Sequence, residues 1–131
     1  MALTKNVGRQ EVIAARQVVL LGTGGDVLTQ VATGVIDLPV GAVVVGGSLN
    51  VSDATSASVK LALGDSGSAS RYATNVAADS VALTALTLTG YQYTTADTLI
   101  LTTSGADPAA VGSVEIVVLY IVNKRAMFSQ G

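Results

Sequence analysis

A chain of 131 residues is long enough for one hydrophobic core and one domain. It has no histidine, cysteine or tryptophan, which removes imidazole proton relays, thiolate nucleophiles, disulfides and thiolate metal sites from its chemistry. Only 12% of residues are charged, against roughly 25% in an average soluble domain, and the net charge is −2; with 50% hydrophobic residues, much of the surface is expected to lie against neighbours.

From the N-terminus, residues 1–21 do not read as a secretory signal, because the apolar run at 18–21 is short and Arg16 interrupts what precedes it. Residues 6–17 are the one stretch where a turn of helix competes, and an extended arm is the preferred reading. A first strand is expected over 12–21 and, after the glycine-rich 22–26, a second over 27–38. Further strands are expected over 43–51, 59–63, 71–76, 82–88, 98–103 and 114–122. Gly46-Gly47, 52–58, 64–70, Gly90 and 104–112 supply the turn signals.

Valine and threonine dominate these runs, and branching at Cβ suits pleated strands better than helices. Val59, Leu61 and Leu63 share a face opposite Lys60, and Leu86 and Leu88 are expected on a dry face opposite Thr87 and Thr89. Residues 116–122 are continuously apolar, as in a strand covered on both faces, one of the covers being a neighbouring subunit. Eight short strands predict an all-β sandwich or barrel. No repeat of 20 to 50 residues points to a solenoid. The longest uncharged run, 80–96, alternates threonine with apolar residues and does not resemble a membrane span.

Charge is unevenly placed. Lys5, Arg9 and Arg16 outweigh Glu11 over residues 1–20, Lys124 and Arg125 make the last twelve residues basic, and the body between them sums to −6. Basic ends on an acidic body make Lys5, Arg9, Arg16, Lys124 and Arg125 candidate docking residues for an acidic partner surface. The alternative reading of the body is scattered loop aspartates capping turns.

Several motifs invite chemistry. Gly64-Asp65-Ser66-Gly67 resembles the segment around the nucleophile of trypsin-like serine proteases, but no histidine is present to take the hydroxyl proton, and a tight loop is the reading preferred. Gly22-Thr23-Gly24-Gly25-Asp26 lacks the lysine and helix of a phosphate cradle. Asp53, Asp65 and Asp107 have no calcium-loop spacing and could meet only through folding. No catalytic, cofactor or metal site is assigned. Tyr91 and Tyr93, two residues apart, are candidate surface aromatics for a base or sugar; the preferred reading is the rim of a core, hydroxyls reaching water. The acidic body without basic–aromatic clusters speaks against nucleic acid.

The order Ile36-Asp37-Leu38-Pro39-Val40-Gly41-Ala42-Val43-Val44-Val45-Gly46-Gly47, then Leu63-Gly64-Asp65 and Arg71-Tyr72, resembles small virion proteins of tailed bacteriophages. So does Leu88-Thr89-Gly90-Tyr91-Gln92-Tyr93-Thr94-Thr95-Ala96-Asp97-Thr98, followed by a valine-rich strand and a basic tail. The resemblance, over about residues 34–125, is to capsid decoration (cement) proteins. It implies a jelly-roll-like β-sandwich, homotrimeric and non-enzymatic. Such a protein stabilises the shell by bridging subunits of the major capsid protein, without cofactor, nucleic acid or membrane. It also implies synthesis in the host cytoplasm and a place on the capsid surface. On that reading residues 1–33 are an N-terminal arm with the first strand or strands, 34–125 the body and 126–131 a tail. The alternative is a tail-fibre or receptor-binding tip using Tyr72, Tyr91 or Tyr93 on a cell-surface glycan, which so few aromatics argue against.

Overall fold

The computed structural model describes residues 11–22, 32–55, 58–105 and 112–122. These form β1 (Ile13–Leu21), β2 (Ala32–Leu38), β3 (Ala42–Asp53), β4 (Val59–Gly64), β5 (Ala73–Ala77), β6 (Ala82–Ala85), β7 (Asp97–Gly105) and β8 (Gly112–Val122), with no helix among the described residues. Each expected strand is present. They assemble into two four-stranded antiparallel sheets, ordered β1-β8-β3-β6 and β2-β7-β4-β5. Most connections pass from one sheet to the other, and the first and last strands lie side by side. This is a jelly roll.

The core is the space between the sheets, filled by alternate residues of each strand. Val59, Leu61 and Leu63 of β4, Leu99 and Leu101 of β7, and Leu49 and Val51 of β3 are buried there, and Lys60 faces out. β8 lies between β1 and β3; Val114, Ile116 and Val118 enter the core while Val117, Leu119 and Ile121 take the opposite, outward face. Its continuous apolar run therefore faces the core on one side and the outside of the sandwich on the other.

Two expectations need correction. Leu86 and Leu88 share no dry face: β6 ends at Ala85, and Leu86 is buried whereas Leu88 is 50% exposed. The cause is a crossing of the chain. Leu86 N–H still donates to Gly47 of β3, but Thr87 N–H donates to the Tyr72 carbonyl, on the β5 side, so strand alternation stops between them. Gly46-Gly47 is not a turn but a register shift inside β3, where the ladder to β8 slips between Val44 and Gly46. β1 pairs with β8 from Ile13 to Leu21, and β2 runs through residue 34. Residues 1–10 and the tail 126–131 lie outside the described residues.

The registers also fix which features share an end. Ile13 faces Tyr120, and Ala42 faces Val122. The start of β1, the end of β8 and the β2–β3 turn therefore lie together at one end of the sandwich. That turn is closed by Ala42 N–H donating to the Pro39 carbonyl, with Gly41 at φ +87°, as a type II turn requires.

Candidate functional site

The most organised polar cluster lies in the loop joining β4 to β5. Gly64 ends β4 so close to the next turn that a Cβ there would sit 2.0 Å from the Ser68 carbonyl oxygen. Asp65 then turns its carboxylate inward, leaving it 1% exposed. Its Oδ1 accepts from the backbone N–H groups of Gly67 and Ser68, each at 2.9 Å, and from Arg71 Nη2 at 3.2 Å. Its Oδ2 accepts from Arg71 Nε at 2.5 Å and from the Tyr93 hydroxyl at 2.6 Å. The Gly-Asp-Ser-Gly segment is thus a loop folded around its own aspartate, the local bonding that makes Asp a turn residue.

Proton directions follow from the groups present. An ionised carboxylate only accepts, so Tyr93 gives its proton to Asp65; Tyr72, with its hydroxyl oxygen 2.7 Å from that of Tyr93, gives its own to Tyr93. Burial pushes the Asp65 pKa up, but the hydrogen bonds from Arg71, Tyr93, Ser68 and Gly67 outweigh it and hold the carboxyl below its ordinary value. Burial, then donation to Asp65, drives the Tyr93 hydroxyl far upward, and burial raises Tyr72. The Arg71 guanidinium is raised further by its bond to Asp65. Every proton is held where it is. The cluster is a latch, without a group poised to give or take a proton.

Tyr93 departs from the rim reading. It is 2% exposed and Tyr72 1%, so neither offers a surface ring, and the hydroxyl of Tyr93 meets Asp65 rather than water. Only Tyr91, at 40%, presents a face outward. Its ring stands edge-on to Tyr93, centroids 5.0 Å apart, and the Arg71 guanidinium lies 3.8 Å over its centroid. In the sequence Arg71 figures only in the Arg71-Tyr72 pair of the resemblance and carries no site role. The available clue was its place beside Tyr72 as one of only two cations in the acidic middle of the chain.

Ser66 Oγ donates to Asp97 Oδ2 at 2.8 Å on the exposed side of the loop. A serine–carboxylate pair with no imidazole between them leaves the hydroxyl unactivated. Ser66→Ala is expected to change stability by no more than about 0.5 kcal/mol. A serine-directed fluorophosphonate should leave Ser66 unlabelled; rapid stoichiometric labelling, read by mass spectrometry, would overturn this assignment. Asp97 also caps its own strand by accepting from Thr98 N–H, and Asp37 accepts from Thr98 Oγ1. Among the described residues no three His, Cys, Asp or Glu side chains group to hold a metal, and Asp107 lies outside them.

Of the five basic docking candidates, the structure describes Arg16. It stands on β1 and pairs with Glu115 of β8, so its charge is already matched within the fold. Lys5, Arg9, Lys124 and Arg125 lie outside the described residues. The strand ends that adjoin these basic segments, Ile13 and Val122, sit at the same end of the sheet as the β2–β3 turn and its exposed Val40.

No family model and no curated protein sequence matches the chain. Among solved structures it is similar to a chain of the cyanophage Pam1 capsid asymmetric unit, with 26% identity over 93% of this chain and 92% of that one and a TM-score of 0.70. A chain in the acidic stable capsid structure of Helicobacter pylori bacteriophage KHP30 shares the fold at 18% identity, covering 86% of this chain and 93% of that one, with a TM-score of 0.62. Both are chains of phage capsid structures.

Proposed function

We propose that this chain is a non-enzymatic structural protein of a phage virion that decorates the capsid surface as a homotrimer and bridges subunits of the major capsid protein. The observation that carries the reading is the reciprocal match to a Pam1 capsid chain, in which nearly the whole of each chain is aligned. The chemistry agrees: a saturated polar latch, no imidazole or thiol, and a surface with about half the usual charge. Interfaces between permanent partners are more apolar than transient ones.

The end of the sandwich where β1 begins and β8 finishes is the proposed attachment end. Residues 1–10 lead into it with Lys5 and Arg9, and 123–131 lead from it with Lys124 and Arg125. Arg16, matched by Glu115, contributes less to docking than the other four. Two basic segments leaving one end can steer an acidic shell surface onto it, and screening over roughly 8–10 Å makes that share fall as salt rises. The test is co-sedimentation with phage heads lacking this chain, at low and high salt. Lys124→Glu with Arg125→Glu should weaken attachment without unfolding the body, and deletion of residues 1–10 should weaken it more. Unchanged binding by both variants would place the contact on the body. No binding by the wild type would sink the decoration role.

A further inference from the structure

A cleft of about 590 Å³ opens at the end of the sandwich where β8 finishes. Leu38, Pro39, Ala96 and Tyr120 give it apolar walls, and Asp37 and Asp97 line it beside them. A space of that size takes side chains of a ligand rather than a lone water. Among the described residues the two carboxylates meet neutral donors only. Asp97 accepts from Thr98 N–H and from the Ser66 hydroxyl, and Asp37 accepts from the Thr98 hydroxyl. Each therefore keeps acceptor positions unused there. No described cation is spare for them: Arg16 pairs with Glu115, Arg71 pairs with Asp65, and Lys60 faces Ser104 toward the far end of β7.

We propose that the cleft seats this chain's own C-terminal segment, residues 124–128, with Lys124 and Arg125 on the two carboxylates. This goes beyond the function proposed above: in the free chain the cleft holds the two cations that docking presents to the shell. Position is the first observation that selects this occupant. Val122 pairs with Ala42, whose N–H donates to the Pro39 carbonyl, so β8 delivers the segment beside the turn that walls the cleft. Tyr120, two residues before the end of β8, is itself a wall. Lys124 and Arg125 follow Val122 by two and three residues, roughly 7–11 Å of extended chain. So short a tether gives a high effective concentration, which two exposed ion pairs need because each alone is weak. Chemistry is the second observation. Two adjacent cations match two carboxylates, and the Ala126, Met127 and Phe128 that follow suit the apolar walls. The basic N-terminal segment fits less well, since Glu11 stands between Arg9 and β1 and is repelled by the same carboxylates.

The test is trypsin cleavage after Lys124 and Arg125 in the full chain, read by mass spectrometry with cleavage after Lys5 as the internal reference. A seated cation cannot enter the protease, so Asp37→Asn/Asp97→Asn should raise the initial rate about fivefold. Salt should move the wild-type rate toward that of the variant. Asp79→Asn, in the β5–β6 connection at the other end of the sandwich, should leave the rate unchanged. Circular dichroism checks the fold. Should the double variant fail to fold, Asp37→Asn alone, at an exposed residue, should still raise the rate. Equal rates in the wild type and a folded cleft variant would overturn the proposal. So would protection that grows with protein concentration, which would place the segment in a neighbour's cleft. Co-sedimentation with heads lacking this chain separates the two readings. A wild type whose C-terminal segment is protected, but which binds no heads, supports the seat and overturns the virion role. A wild type that binds heads, but whose free form is cleaved as fast as the cleft variant, overturns the seat and leaves the virion role standing.

Discussion

Replacing Asp65 with alanine should lower the unfolding free energy by about 3–5 kcal/mol, the range for removing one partner of a buried ion pair. The carboxylate is 1% exposed and accepts from Arg71, Tyr93, Gly67 and Ser68. Alanine strands all of these donors at once, the Tyr93 hydroxyl in the buried interior and Arg71, Ser68 and Gly67 at its part-exposed edge. Tyr93→Phe removes one donor and leaves the ion pair, so its loss should be smaller, about 1–2 kcal/mol. Denaturant unfolding at fixed protomer concentration measures both, the concentration being held because association raises apparent stability. An alanine variant as stable as the wild type would show that the latch contributes nothing net.

The same carboxyl sets an acid limb. Its folded pKa lies below the ordinary 3.8, so the unfolded chain takes up the proton first. Its contribution is complete above the unfolded value and is lost as pH falls through that value and then through the folded one. Stability of the wild type should drop below about pH 4. Asp65→Asn, which has no proton to take up there, should start lower and show a shallower acid limb. The two curves should converge as pH falls. Parallel curves down to pH 2 would show that other carboxylates carry the acid sensitivity.

How much of this could be read in the sequence depends on the range of the forces involved. The eight strands were legible because Cβ branching and period-two burial are local: Val59, Leu61 and Leu63 alternate with Lys60 whatever lies across the sheet. The apolar stripe on both faces of β8 was legible for the same reason. The Gly-Asp-Ser-Gly loop was legible as a turn, but its partners were not. Arg71 and Tyr93 reach Asp65 from 6 and 28 residues away, a meeting that only the packing of two sheets brings about. Leu88 was misread because the Leu-Thr alternation continues in sequence after the chain has left β6 for the Tyr72 carbonyl. The burial of Tyr93 was not legible because it depends on Asp65, 28 residues away: the Tyr91 and Tyr93 rings stay in edge contact, but Tyr93 reaches inward to that carboxylate while Tyr91 remains 40% exposed.

Gly47→Ala should be among the most damaging single-methyl changes this fold can suffer, at about 4 kcal/mol or more, which is the exceptional end of the mutational range. Two causes add. Gly47 sits at φ +138°, where an L side chain is strained by about 1–3 kcal/mol. A Cβ built there would also lie 2.2 Å from the Val117 carbonyl oxygen and 2.9 Å from Leu86 Cδ1. Leu86 could swing away, but Val117 belongs to the central strand β8, paired on both sides, and cannot retreat without breaking ladder bonds. Gly90→Ala isolates the first cause. It also has positive φ, +73°, but a Cβ there meets nothing within 4 Å, so its loss should stay near 1–2 kcal/mol. At roughly 4 °C per kcal/mol for a domain of this size, the two melting curves should separate by about 10 °C. A Gly47→Ala protein that melts no lower than Gly90→Ala would mean that β3 and β8 can part at this register shift, and that the β1-β8-β3-β6 sheet is softer at its centre than its registers indicate.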